Sequence, residues 1–317
     1  MGKLVSVVIP CYNHEKYVDD CLSSLMAQTY PDMEIVIADD ASSDHSYEKL
    51  KEWEQRLCRR FSRVVLRRNE KNQGITKNLN HMLRLCRGEY IKPLASDDML
   101  FPDAVALLAA FAEKSDADII FSNTVSVENS FRYAQLEKRK FTCRYKQNPP
   151  QGRNLTGLLC AENYISAPGL MIPYRTYKKY GLYNEAFLFE DWEYLLRVSV
   201  KGTIRYLNAP TALYRIGGHS LSHFGRGSEE KKRHRMFHEH KKQMIQLYKG
   251  YASKEQMQQF FNTEAVSAMN MGDRVLVSQI LDEMKKEGLE VSANNHMRLL
   301  LMKLHLYLLL KKMKEAL

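Results

Sequence analysis

Three short apolar runs, residues 4–9 (Leu-Val-Ser-Val-Val-Ile), 33–38 (Met-Glu-Ile-Val-Ile-Ala) and 90–95 (Tyr-Ile-Lys-Pro-Leu-Ala), each stop abruptly at a polar turn. The turns are Pro10-Cys11-Tyr12-Asn13, Asp39-Asp40-Ala41-Ser42-Ser43-Asp44 and Ser96-Asp97-Asp98. Runs this short, largely β-branched or apolar and without strict alternation, are what strands covered on both faces require. The segments between them carry helical spacing. Val18, Cys21, Leu22 and Leu25 form a stripe within a helix expected over about residues 16–26, with Asn13 as its cap. Further helices are expected near residues 46–60, 75–86 and 102–114, and further strands near 63–66 and 117–122. Alternating strands and helices imply right-handed βαβ units on a mostly parallel sheet, an α/β chain. In such sheets ligands collect beyond the carboxyl ends of the strands, where these three turns lie.

The first strand-to-helix turn has no glycine, and neither G-x-G-x-x-G nor G-x-x-x-x-G-K-[ST] occurs, which excludes the usual dinucleotide and P-loop cradles. The six cysteines show no C-x-x-C spacing, so neither a zinc framework nor a disulfide scaffold is expected. The opening apolar run lacks a small-residue cleavage site, and no apolar stretch reaches the roughly 20 residues of a membrane span. The expected location is therefore cytoplasmic.

The formal charge of +10 suits an acidic partner, and the excess gathers late in the chain, with Lys231, Lys232, Arg233, Arg235, Lys241 and Lys242 among them. After His219 the pattern turns helical, near residues 229–248, 254–269, 274–287 and 294–314. A boundary near residue 225 follows, dividing a sheet domain (1–225) from a helical C-terminal domain (226–317). Periodicity fades between about residues 126 and 150, which reads as a variable or mobile connection. A helix is also expected over 191–200 and a strand near 204–207.

The motifs together resemble the inverting family 2 glycosyltransferases of bacterial polysaccharide and glycoconjugate synthesis, which have a GT-A fold: a Rossmann-like, mostly parallel sheet flanked by helices. The resemblance is carried by residues 5–13, 38–44, 96–98 and Glu190-Asp191, and spans roughly residues 3–222. It implies a hexosyltransferase with a nucleoside-diphosphate sugar, a UDP-sugar foremost, as donor and a saccharide or glycoconjugate hydroxyl as acceptor. By position, Pro10, Tyr12, Asn13 and Asp40 would hold the base and ribose, Asp97 the ribose, and Asp98 a Mn²⁺ or Mg²⁺ ion. Carboxylates suit these tasks as acceptors for N–H and O–H groups and as ligands for hard cations. The family often carries another Asp two residues before Asp97; here that position is Ala95. Asp191 would be the general base, its anionic form favoured by the start of a helix. Asn72, Gly74, Lys77 and Asn78 resemble the family's Gly-rich loop, with Lys77 a donor contact. In residues 214–222, which resemble a further family motif, His219 would complete the metal site or meet the diphosphate, and Arg215 would offset the diphosphate charge.

Each motif alone also has a structural reading. Asp39–Asp44 could cap the next helix, Asp97-Asp98 could start one, and Asp191 could be an ordinary N-cap. His234, His238 and His240 on a basic helix read as a solvated face rather than a metal site. Met297, Leu301, Leu304 and Leu308 form a stripe with basic flanks, a candidate peripheral membrane contact or a packing face. Nucleic acid is not an expected partner, because acidic turns line the cleft end of the sheet. The alternative functions are an inactive binding module of the same fold and a basic nucleic-acid-binding protein, the latter disfavoured by those acidic turns.

Overall fold

The computed structural model describes residues 2–138, 140–216 and 227–291. The described residues divide into two compact units, one within 2–155 and 164–216, the other within 156–163 and 227–291. The helical unit thus takes in a short segment, 156–163, that a single boundary near 225 leaves with the sheet.

The sheet unit holds β1 (Val5–Cys11), β2 (Met33–Asp39), β3 (Arg63–Arg68), β4 (Tyr90–Pro93), β5 (Met99–Leu100), β6 (Ile119–Glu128), β7 (Leu170–Pro173) and β8 (Ile204–Ile216). Their order across the sheet is β3-β2-β1-β4-β7-β6-β8-β5. The pairs β1/β2, β1/β4, β2/β3 and β6/β8 are parallel, as the alternating pattern requires. β7 runs antiparallel between β4 and β6, and β5 antiparallel against β8. Neither β5 nor β7 is expected from the sequence. β8 is also much longer than residues 204–207: it crosses Pro210, which pairs with Asn123 where the β6/β8 register shifts. A proline inside a sheet needs such an irregularity because it cannot donate to the ladder.

Helices α1 (Val18–Met26), α2 (Ser46–Arg60), α3 (Ile75–Leu83) and α4 (Ala104–Glu113) follow β1, β2, β3 and β5. The α1 stripe of Val18, Cys21, Leu22 and Leu25 is buried against Val5, Val7, Ile9, Met33, Ile35 and Ile37 of the strands. Each fully buried aliphatic side chain there contributes about 1.5–3 kcal/mol. Asn13 does not cap α1. Tyr17 precedes the helix, while Asn13 adopts φ 55° and turns its side chain to the β2 turn.

The segment expected to be a mobile connection is instead packed. Phe131, Tyr133, Leu136, Phe141 and Cys143 close a second apolar cluster with Met99, Val125, Val127 and Leu213. Asn123 clamps Tyr145 through both its amide atoms, at 2.9 and 3.0 Å. Aromatic anchors at irregular spacing do this without any period to read.

Three short helices follow in the chain: α5 (Thr156–Ala161), α6 (Tyr174–Tyr180) and α7 (Glu190–Ser199). In the helical unit, α5 joins α8 (Ser228–Tyr248), α9 (Lys254–Met271) and α10 (Arg274–Lys286). Gly157 of α5 lies so close to the Tyr251 carbonyl that a Cβ would meet it at 2.7 Å. Ser253 and Gln256 form a reciprocal cap at the start of α9, and Gly272, at φ 68°, ends it.

The histidine-bearing face of α8 is not solvated. His234 and His238 are buried, and His238 Nδ1 bonds Glu264 at 2.9 Å. The basic residues of α8 are largely paired within the unit: Arg235 with Asp273 at 2.6 and 2.7 Å, Lys241 with Glu264 at 2.9 Å, Lys242 with Glu283 at 2.6 Å and Lys232 with Glu229 at 2.7 Å. That helix therefore presents much less free positive charge than its sequence implies. The leucine stripe of residues 297–308 lies outside the described residues. Among those described, no helix is long and apolar enough to cross a membrane.

Candidate active site

The parallel pairing of β2, β1 and β4 brings their carboxyl ends side by side. The turns beyond them are tied together by side chains. The Asn13 N–H donates to Ser42 Oγ at 2.9 Å, and the Ser43 N–H donates to Asn13 Oδ1 at 2.8 Å. Ala41 at φ 58° and Asn13 at φ 55° both adopt left-handed backbone, which only a closely determined turn maintains for a residue with a Cβ. Pro10 is half-buried, and Tyr12 stands 46% exposed above these turns.

Asp40 is 3% exposed. Its carboxylate accepts from Asn69 Nδ2 at 2.8 Å, the Gln73 N–H at 2.9 Å and the Gly74 N–H at 2.8 Å. What Asp40 orders directly is thus the 69–74 loop, where Gly74 sits at φ 83° immediately before α3. Asp39 accepts from the Ser42 N–H at 3.0 Å, while its other oxygen is buried without a hydrogen-bond partner. Lys77 is exposed on α3, whereas Asn78 is buried and donates to the Ala38 carbonyl at 3.0 Å.

Beyond β4, Asp97 remains partly accessible while Asp98 is only 2% exposed. Burial, reinforced by the adjacent Asp97 charge, pushes the Asp98 carboxyl well above the ordinary range. One Asp98 oxygen accepts the Arg215 N–H at 2.9 Å. The Arg215 guanidinium, expected to offset diphosphate charge, is committed to protein groups instead. It is buried, donates to the carbonyls of Asp97, Glu128, Asn129 and Phe131 at 2.8–3.2 Å, meets Asp20 at 3.3 Å and lies 4.7 Å over the Tyr17 ring. Arg215 is a strut that fixes the Asp97-Asp98 turn. Lys92 is likewise buried, its Nζ donating to the Pro93 and Pro168 carbonyls, and burial lowers it to about 7.

His14 enters this site without having been singled out in the sequence. Its Nδ1 lies 2.8 Å from Ser96 Oγ and its Nε2 3.9 Å from Asp97, so it joins the β1 turn to the β4 turn. A titratable ring directly after the first polar turn was the available signal.

Glu190 and Asp191 open α7, and Asp191 Oδ1 accepts the Trp192 N–H at 2.7 Å. Burial, reinforced by the Asp191 charge, pushes Glu190 up to about 8, and burial raises Asp191 as well. The helix start therefore does not hold Asp191 as a low-pKa anion; loss of hydration outweighs the backbone hydrogen bonds. The stretch leading to this pair is suspended from α3: Asn80 bonds both backbone groups of Tyr183, and Thr76 donates to the Phe187 carbonyl at 3.3 Å. His219 lies outside the described residues.

The donor set fits a divalent cation. Two adjacent carboxylates, one of them buried, sit beside cationic side chains that are committed to carbonyls and to Asp20, and hard cations take such oxygens. In the helical unit, His238, Glu239 and Glu283 also gather potential ligand atoms. There Lys242 Nζ lies 2.6 Å from Glu283 and 2.8 Å from Glu239, so an ammonium already neutralises both carboxylates.

The family model described as "Glycosyl transferase family 2" matches residues 6–175, just over half of the chain. Glycosyltransferase GlyG of Streptococcus pneumoniae serotype 4 is 31% identical over 134 residues, which is 41% of this chain and 42% of that protein. Chondroitin synthase of Escherichia coli is 45% identical over 105 residues, 33% of this chain and 14% of that one. The chain thus matches less than half the length of either relative. Residues 1–349 of S. aureus TarS, solved with UDP-GlcNAc, share the fold with a TM-score of 0.58 at 18% identity, over 91% of this chain and 93% of that one.

Proposed function

The chain belongs to glycosyl transferase family 2, and from that premise we propose that it transfers a sugar, with inversion, from a UDP-sugar to a hydroxyl of a saccharide or glycoconjugate. The observation that carries this reading is the pairing of two carboxylate sites on one unit, Asp97-Asp98 beyond β4 and Glu190-Asp191 at the start of α7, with raised carboxyls at both. Acids perturbed by burial together with a specific charged neighbour are candidates for working groups. A TarS structure holds UDP-GlcNAc, which supports a uridine donor here.

Pro10, Tyr12 and Asn13, with the turn that Asp40 orders, would receive the base and ribose, and Asp97 a ribose hydroxyl. Lys77, exposed at the start of α3, would reach the phosphates. Asp98 would hold Mn²⁺ or Mg²⁺, with His219 a second candidate ligand; the ion would offset charge on the departing diphosphate.

Asp191 takes the proton from the acceptor hydroxyl as that oxygen bonds the anomeric carbon. The bond from that carbon to the diphosphate oxygen breaks, and its electron pair leaves with the nucleotide. A carboxylate raised toward neutral pH is a better base for this than an ordinary one. Arg215 and Ser96 keep the β4 turn in place while the charge shifts.

The test is nucleotide release from UDP-, GDP- and TDP-sugars with and without manganese. Metal-dependent turnover of UDP-sugars supports the reading, and turnover of none of them under either condition overturns it.

A further inference from the structure

We infer that Asn80 is a positioning residue for Asp191, an inference that rests on the transferase reading above. Asn80 is 2% exposed on α3, and its amide is fully engaged by the chain that leads to Glu190-Asp191. Its Nδ2 donates to the Tyr183 carbonyl at 2.9 Å and to Glu185 Oε1 at 3.0 Å, and its Oδ1 accepts the Tyr183 N–H at 3.0 Å. One turn earlier on the same helical face, Thr76 Oγ1 donates to the Phe187 carbonyl at 3.3 Å. The far side of this stretch is also fixed. The Tyr183 ring packs on Tyr177 and on Tyr194 of α7, at 5.7 and 5.1 Å, and its hydroxyl lies 3.0 Å from that of Tyr177.

The same helix is also tied to β2 and its turn, through the residue before its start and a residue between Thr76 and Asn80. Asp40 accepts the Gly74 N–H, and Asn78 donates to the Ala38 carbonyl. One nine-residue helix therefore connects the turn assigned to the donor base with the stretch that sets the base catalyst. Only a side chain with both a donor and an acceptor satisfies the two Tyr183 backbone groups at once. Loss of that amide leaves them unpaired in a buried position and frees residues 183–187 to shift. A shift of about 1 Å at a reacting group can lower a rate about 100-fold.

The experiment is a double-mutant cycle in the full chain, measuring kcat and donor KM for wild type, Asn80→Ala, Asp191→Asn and the pair. Asn80→Ala should lower kcat at least about tenfold with donor KM within about twofold. On the Asp191→Asn background it should change the residual rate by less than about twofold, because the residue it positions no longer works as a base. An equal loss on both backgrounds, or a donor KM that rises in step with the fall in kcat, overturns the inference. If Asn80→Ala loses its cooperative melting transition, Thr76→Val, which keeps the volume and removes the second tether, is read in the same cycle by the same criteria, with a smaller fall in kcat expected. Absence of any transfer by the wild type shows before any variant is made and refutes the parent reading along with this one.

Discussion

The acidic groups inside the helical unit and those of the candidate site are treated in opposite ways. In the helical unit, Glu264 is held by His238 and Lys241 at 2.9 Å each, and these partners outweigh its burial and bring it down to about 2. Asp273 meets Arg235 through both oxygens and is lowered as well. In the sheet unit, Asp98, Glu190 and Asp191 are all raised: neighbouring acids reinforce burial at Asp98 and Glu190, and nearby cations compensate Asp98 only in part. Lys92 and Arg215 approach Asp98 but spend their donors on carbonyls, and in the case of Arg215 on Asp20. Carboxylates that fold a protein arrive with their partners, whereas those that work on a substrate are left for the substrate to complete.

The contrast breaks most readily at Asp191. Asp191→Asn should lower kcat about 1000-fold, within the range for general-base removal, while donor affinity by calorimetry stays within about twofold. Retained turnover would make Asp191 a structural acid like those of the helical unit. Glu264→Gln should show the reverse pattern. Removing one member of a buried ionic group destabilises by about 3 kcal/mol, visible in denaturant unfolding, with donor affinity unchanged. An unfolding midpoint equal to wild type would remove the contrast from its other side.

The pH dependence sharpens it further. Because Glu264 is lowered from an ordinary 4.5 to about 2, its stabilisation is complete above 4.5 and is lost as pH falls toward 2. The Glu190-Asp191 pair is raised, so activity should climb with pH through the range in which the pair loses its protons. Glu190→Gln removes the group of the pair that loses its proton last, since Glu190 is the one raised by the Asp191 charge, and should move that rising limb to lower pH in a kcat/KM profile. A limb left in place would separate the two residues.

The parts of this arrangement that the sequence disclosed were those carried by local pattern. β1, β2 and β4 were legible because short apolar runs ended at polar turns, and the Asp97-Asp98 and Glu190-Asp191 pairs because each followed or opened a regular element. β5 and β7 were not, since two or four residues hold no period, and β7 is preceded by Pro168-Gly169. The strand expected near 204–207 is the start of β8, which continues through Pro210 where the β6/β8 register shifts, a tertiary feature with no local pattern. The roles of Arg215, Asn80 and His14 depend on contacts across 117, 103 and 82 residues of chain. No local pattern carries such information. Asn13 misled for a related reason: a good helix cap is also a good left-handed turn residue, and here the turn partner Ser42 decided between them.

The central claim is that the incomplete charge at Asp97-Asp98 is completed by a cation and a uridine diphosphate donor. Calorimetric titration of UDP into wild type and Asp98→Ala, each with and without manganese, tests it most directly. The account predicts that manganese strengthens binding to the wild type by at least about tenfold and has no effect on the variant. Equal affinities in all four titrations would contradict it.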